Sequence, residues 1–316
     1  MLEILTQLFF LVLGFVMLIK GADWFVEGAS KIADRFGIPQ LVIGLTIVAM
    51  GTSAPEAAVS ITSALKGNAD ITIGNVLGSN ILNVFIILGL TAVVRTIAVQ
   101  ESTIKYELPF VIVISAILMG LGLTGNEITR LGGGILWALF IVYMVYLLMM
   151  AKKGQGSASE EVAEVTGKKD SLLKLIFLAI IGVVLIVWGS DVTVDAATAL
   201  AKAWGMSERL IGLTIVALGT SLPELVTSVT AAIRGKADIA VGNIVGSNIF
   251  NILFVVGTTA LITPVAYQAN FLVDSIVTIA SGVLLWLCVL RKKQLNRIAG
   301  IIMLICYAGY FVYLIQ

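Results

Sequence analysis

Ten stretches of the chain stay apolar for about 20 residues or more, the length that carries a helix across the hydrocarbon core of a bilayer. They fall roughly at 6–26, 39–65, 69–94, 106–125, 130–151, 172–194, 207–233, 237–263, 268–290 and 296–315. In hydrocarbon every backbone N–H and C=O needs a partner from the protein, so only helices and closed barrels span it. The alternating segments of a barrel are not seen. Charged residues make up 12 % of the 316, half the share of about 25 % usual in soluble domains. The expectation is an all-α integral membrane protein with ten transmembrane helices. The chain start has Glu3 and no basic cluster, so the first stretch is read as a retained helix rather than a leader.

Lysines and arginines set the orientation. With the loops numbered one to nine, odd loops hold fifteen of them, including Lys31, Arg95, Lys152 and Lys293. Even loops hold four, Lys66, Arg130, Lys202 and Arg209. The positive-inside bias puts odd loops in the cytoplasm and both termini outside. The net charge of +1 names no charged partner; neither nucleic acid nor an obligatory protein partner is expected. The absence of histidine removes histidine metal sites, bases and proton relays together. Cys288 and Cys306 lie inside apolar helices and read as buried small side chains.

The chain is written twice. Shifted by 168 positions, Gly44–Gly89 and Gly212–Gly257 agree at roughly 26 of 46 places, and upstream Gly14, Gly21, Asp23 and Gly37 meet Gly182, Gly189, Asp191 and Gly205. The repeat unit is five helices. Five is odd, so the second copy enters the membrane from the opposite side. Such inverted copies mark secondary transporters, with a site at the midplane between them. The expected units are 1–151, a polar cytoplasmic linker at 152–171, and 172–316.

"VAMGTSAPEAAVS" (Val48–Ser60) and "VALGTSLPELVTS" (Val216–Ser228) carry the chemistry. Pro55 has no N–H and crowds the carbonyl of Gly51, which is itself a weak helix former, so the second helix should break near its middle. Glu56 then places a carboxylate at mid-membrane, where it is costly unless paired. No basic residue lies within mid-helix reach, so an exchangeable cation fits better. Thr52 and Glu56, four apart, share a face with Ser53 alongside. Thr220, Ser221 and Glu224 repeat the set. The next helix adds Asn75, Ser79 and Asn83 as one stripe, and Asn243, Ser247 and Asn251 as its copy. GxxxG at Gly74/Gly78 and Gly242/Gly246 lets neighbouring backbones come close. Two carboxylates with hydroxyl, amide and carbonyl oxygens suit hard cations such as Ca²⁺ and Na⁺, not Zn²⁺ or copper. Two carboxylates balance one Ca²⁺, and the same two suit occupancy by more than one Na⁺; a site that holds either load follows the logic of an antiporter.

The paired GTS-x-PE and GN-x-x-GSN-x-x-N motifs resemble the α-repeats of the sodium/calcium exchanger family, of prokaryotic type, within the cation/Ca²⁺ antiporter superfamily. The resemblance is specific over about 90 residues and compatible with the whole ten-helix plan. It implies a compact core across which helices one and six slide. It also implies ion ligands at Thr52, Ser53, Glu56, Ser79, Asn83, Thr220, Ser221, Glu224 and Ser247, with the carbonyls of Ala49 and Ala217. Asn251 departs from the pattern: many sodium-driven members, and the potassium-dependent ones, have aspartate there. With Asn83 and Asn251 both neutral, Ca²⁺ stays balanced, while the counter-ion, K⁺ involvement and stoichiometry are left open. The reading is Ca²⁺/Na⁺ antiport by alternating access, with the ions as substrates and no cofactor, in the inner membrane of a prokaryote.

A Ca²⁺/H⁺ antiporter of the same fold is the runner-up. A channel needs a continuous pore, against which the inverted copies argue. An intramembrane enzyme lacks a nucleophile–base set. Asp23 and Asp191 are read as ending helices one and six, and Asp70 and Asp238 as opening three and eight. Trp24, Tyr106, Trp204 and Tyr267 are read as interface anchors. Glu107 and Asp274 are left without a role.

Overall fold

The computed structural model describes residues 2–65, 69, 71–158, 171–205, 217–269 and 271–315. The helices are α1 Leu2–Phe36, α2 Gln40–Thr52, α3 Ala54–Leu65, α4 Thr72–Val94, α5 Thr103–Leu123, α6 Arg130–Ala158, α7 Leu172–Ala203, α8 Ala217–Thr220, α9 Leu222–Ile233, α10 Ala237–Ile262, α11 Phe271–Leu290 and α12 Arg297–Ile315. Among the described residues, eight are long and apolar enough to cross a bilayer. The pair α2 and α3, bent by 50°, makes a ninth candidate span. The chain is a multi-pass membrane protein. Residues 206–216, the first half of the expected seventh stretch, lie outside the described residues, as do Lys66, Asp70 and 159–170.

Helices are not the whole of it. Ile97–Ala98 (β1) pairs antiparallel with Gln294–Leu295 (β4), and Glu127–Ile128 (β2) with Val265–Ala266 (β3). Each bridge ties a loop of the first half to a loop of the second. Beside β1, Glu101 meets both Lys105 at 2.6 Å and Lys293 at 2.7 Å. These two ammonium groups hold its carboxyl down at about 2, Lys105 more than Lys293.

α1 and α7 are 35 and 32 residues long, well past the expected ends near 26 and 194. A charged side chain does not stop a helix. What stops these two is a glycine in the left-handed region, Gly37 at φ 61° and Gly205 at φ 82°. Asp23 therefore sits in mid-helix, where it pairs with Arg234 at 2.9 Å instead of ending the helix, and Asp191 is likewise internal to α7. α6 continues through 152–158, so the segment expected as a linker begins helical. Cys306 is exposed and Cys288 half-buried, both unpaired; an apolar face turned to lipid holds a thiol as readily as a core does. Tyr267, read as an anchor, is buried and bonds Ser275 at 2.7 Å.

α1 and α7 pack antiparallel along glycines. A Cβ at Gly21 would lie 2.8 Å from the Gly182 carbonyl, and one at Gly182 would lie 2.8 Å from that of Gly21; Gly14 and Gly189 make the same reciprocal contact at 3.0 Å. No residue with a side chain allows that approach. Since Gly14 corresponds to Gly182 and Gly21 to Gly189, the contact is two-fold symmetric in sequence. α4 and α10 form the centre. Their most apolar windows are 78 % and 89 % buried, against 17–39 % for the other six long helices.

Candidate functional site: two opposed half-helices

The break in the second span falls at Ser53 (φ −83°, ψ 10°), between α2 and α3. One residue of non-helical backbone suffices for the 50° bend because Pro55 supplies no N–H to Gly51. Ser221 (φ −92°, ψ 2°) occupies the same place before α9. Each break makes the following 12-residue half-helix begin just ahead of a glutamate, so Glu56 and Glu224 both sit in a first turn. The positive helix end there favours a carboxylate. Pro223 deprives the Gly219 carbonyl in the same way, and α7 repairs it: Ser190 Oγ donates to Gly219 O at 2.7 Å. Ala22 stands at the corresponding place in α1, so the Gly51 carbonyl has no matching hydroxyl from that position.

The two breaks meet. Ser53 Oγ donates to Glu224 Oε1 at 2.8 Å, and Ser79 Oγ approaches Glu56 Oε1 at 3.5 Å. Thr52 Oγ1 donates to Asn243 Oδ1 at 2.9 Å and lies 3.3 Å from the Ala49 carbonyl, which Ser247 Oγ also approaches at 3.4 Å. Both glutamates are buried, and the remaining oxygens, Glu56 Oε2 and Glu224 Oε2, have no hydrogen-bond donor. Buried oxygens of this kind are normally satisfied, yet the neighbouring amide N–H groups of Asn75 and Asn243 go to Ser60 and Ser228 and to the backbone carbonyls of the glutamates instead. The donor set fits a hard cation held between two carboxylates. α10 can come this close because Cβ atoms at Gly242 and Gly246 would lie about 3 Å from Gly44 and Leu45.

Thr52, Ser53, Glu56, Ser79, Ala49, Ser247 and Glu224 are thus brought together. Ser221 is buried with its hydroxyl unpaired. Thr220 is only half-buried, and Ala217 opens α8 with no described side chain. The Ala49 carbonyl keeps its helical partner, the N–H of Ser53 at 3.0 Å, so the bend alone does not free it. Asn83 and Asn251 point their amides elsewhere, to Asn248 Oδ1 at 2.9 Å and Asn80 Oδ1 at 3.1 Å; both of their own Oδ1 atoms are buried without a donor.

Asn80 and Asn248 escaped the sequence reading. They donate to each other's backbone carbonyls, at 3.2 and 3.4 Å, where α4 crosses α10, and they hold Asn251 and Asn83. Their signal was present, since they occupy one register in both copies, but a residue between two spacings of four looks like a bystander. Ser60 and Ser228 were missed likewise. Each accepts the amide of the stripe asparagine beside it, Asn75 or Asn243, at 2.9 Å.

Two buried carboxylates, brought together among hydroxyl and amide oxygens in a multi-pass membrane protein, fit an ion transporter. Residues 6–149 and 159–316 match the family described as sodium/calcium exchanger protein, and the chain belongs to that family. It is 38 % identical over 316 residues to inner membrane protein YrbG of Escherichia coli (strain K12), covering 96 % of this chain and 94 % of that one. It is 31 % identical to sodium/calcium exchanger MaX1 of Methanosarcina acetivorans over 340 aligned positions, covering 96 % and 97 %. Among solved structures it is similar to the sodium-calcium exchanger NCX_Mj, with a TM-score of 0.83 at 30 % identity, covering 98 % of this chain and 99 % of that one.

Proposed function

We propose that the chain exchanges Ca²⁺ for Na⁺ by alternating access, through one site at the membrane midplane between two inverted five-helix repeats. On this reading the tenth span is 207–233, broken at Ser221 as its counterpart is at Ser53. Residues 152–171 are cytoplasmic and both termini are outside. The observation that carries the proposal is the opposed pair Glu56 and Glu224, each buried with one carboxylate oxygen lacking a donor. One Ca²⁺ between them is charge-balanced; Na⁺ ions replacing it would also use the hydroxyls of Thr52, Ser53, Ser79, Thr220, Ser221 and Ser247. The carbonyls of Ala49 and Ala217 and the amides of Asn83 and Asn251 complete the set. The two halves are not alike in detail. Ser53 bonds Glu224, but no described bond joins Ser221 to Glu56, an asymmetry expected of a site that opens to one face at a time.

A Ca²⁺/H⁺ antiporter is favoured by one observation, the neutral Asn251. An amide cannot take up a proton near neutral pH, so Glu56 and Glu224 would have to carry the protons. Equilibrium Ca²⁺ binding to the purified protein tests the shared site. Na⁺ is expected to displace Ca²⁺ competitively, while choline does not. Glu56→Gln and Glu224→Gln should each weaken Ca²⁺ binding by about 100-fold, one charge being lost from a poorly screened site. Near-normal Ca²⁺ binding in either variant would sink the paired-carboxylate model.

A further inference from the structure

α5 and α6 enclose a groove remote in sequence from both breaks. It is a cavity of about 390 Å³ walled by Tyr106, Glu107, Phe110, Val113, Tyr143 and Tyr146. The helices run antiparallel, so the walls are layered. Tyr106 faces Tyr146 with ring centroids 6.3 Å apart; one turn deeper Phe110 stacks on Tyr143 at 5.7 Å. Beyond these lie Val113 and Val142, both exposed on the outer face of their spans. The polar end holds Glu107, only 1 % exposed. Tyr146 donates its hydroxyl to Glu107 Oε1. Oε2 has no donor, and the buried Tyr143 hydroxyl has no partner either. At the rim Lys105 is paired with Glu101.

The chemistry selects a ligand. The buried Thr103 hydroxyl, one turn earlier, is a neutral donor beside Glu107 and is itself without a partner; a charged donor from a ligand would satisfy the free carboxylate oxygen more strongly. A hard metal ion wants six or more oxygens, whereas this site offers one carboxylate surrounded by aromatic rings. Rings beside a carboxylate suit an organic ammonium, through cation–π attraction. Glu107 Oε2 and the Tyr143 hydroxyl both accept hydrogen bonds, so the ammonium should carry N–H donors, which a quaternary one lacks. The groove then turns apolar and opens sideways, so the molecule also carries a chain. We propose that it binds an ethanolamine phospholipid, the primary ammonium donating to Glu107 Oε2 and Tyr143 Oη and an acyl chain lying along Phe110, Val113 and Val142.

Native mass spectrometry of the purified full chain in detergent tests this. The probes are dioleoyl lipids with ethanolamine, choline or glycerol headgroups, and chain-free glycerophosphoethanolamine. The wild type should retain the ethanolamine lipid about tenfold over the other two, the scale of one charge-assisted hydrogen bond. Glu107→Gln should erase that preference. Val142→Trp, which fills the groove and leaves the carboxylate alone, should lower ethanolamine-lipid binding and keeps the test open if Glu107→Gln does not fold. Equal retention of all three lipids, an unchanged preference in either folded variant, or equally strong binding of the chain-free compound would overturn the proposal.

Discussion

Glu56 and Glu224 owe their position to one covalent fact, the missing N–H of a proline one residue before each of them. That absence breaks the helix, and the break turns the carboxylate to the start of a new one. These residues were legible in the sequence because chemistry and repetition coincided. Asn80 and Asn248 were less so, because their role depends on which helices cross, and spacing along one helix does not show crossings. Each pairs with the other's backbone in a core where an unpaired amide costs about 1–3 kcal/mol. Asn80→Ala and Asn248→Ala should therefore each lower the thermal midpoint by several degrees in a detergent melt, while Gly309→Ala, at an open helical position, should not. An unchanged midpoint in both asparagine variants would show that the crossing is held by something other than these amides.

At the scale of elements, glycine decides what touches what. α1 and α7 approach through Gly14, Gly21, Gly182 and Gly189, and their neighbours reach the breaks. A Cβ at Gly51 would lie 3.1 Å from Phe25 of α1 and Val183 of α7. The long pair therefore lies directly over the bent helix, where a displacement would be felt by Glu56. Gly182→Leu places a side chain into the Gly21 carbonyl and the Phe25 backbone. Overpacking of this sort costs about 1–3 kcal/mol. The expected result is a lowered thermal midpoint together with slowed exchange; a variant that melts and exchanges like the wild type would contradict the close packing of the pair. The apolar runs show that these helices exist, but charge is a poor marker of where α1 and α7 end, because a charged side chain does not stop a helix. Gly37 and Gly205, already visible as a matched pair in the repeat, were the better markers. The two-residue strands had no signal, since their pairing is between distant loops.

For the whole molecule, positions that match in sequence make reciprocal contacts: Gly14 with Gly189 and Gly21 with Gly182, Asn80 with Asn248, β1 with β4 and β2 with β3. A pairwise exchange of halves maps each glycine and asparagine contact onto its twin. The orientation proposed from the Lys and Arg distribution is open to a direct test. A cysteine introduced at Ser157 should react with impermeant maleimide only when the cytoplasmic face is accessible, and labelling in intact cells would overturn that orientation.

The central claim is that the site between the repeats carries Ca²⁺ one way and Na⁺ the other. Proteoliposomes containing the purified chain, loaded with Na⁺ and diluted into Na⁺-free medium with trace labelled Ca²⁺ at equal, clamped pH, measure it directly. The account predicts Ca²⁺ uptake that collapses when choline replaces internal Na⁺ and is lost in Glu56→Gln and Glu224→Gln. Uptake that ignores Na⁺ and follows only an imposed pH gradient would contradict it.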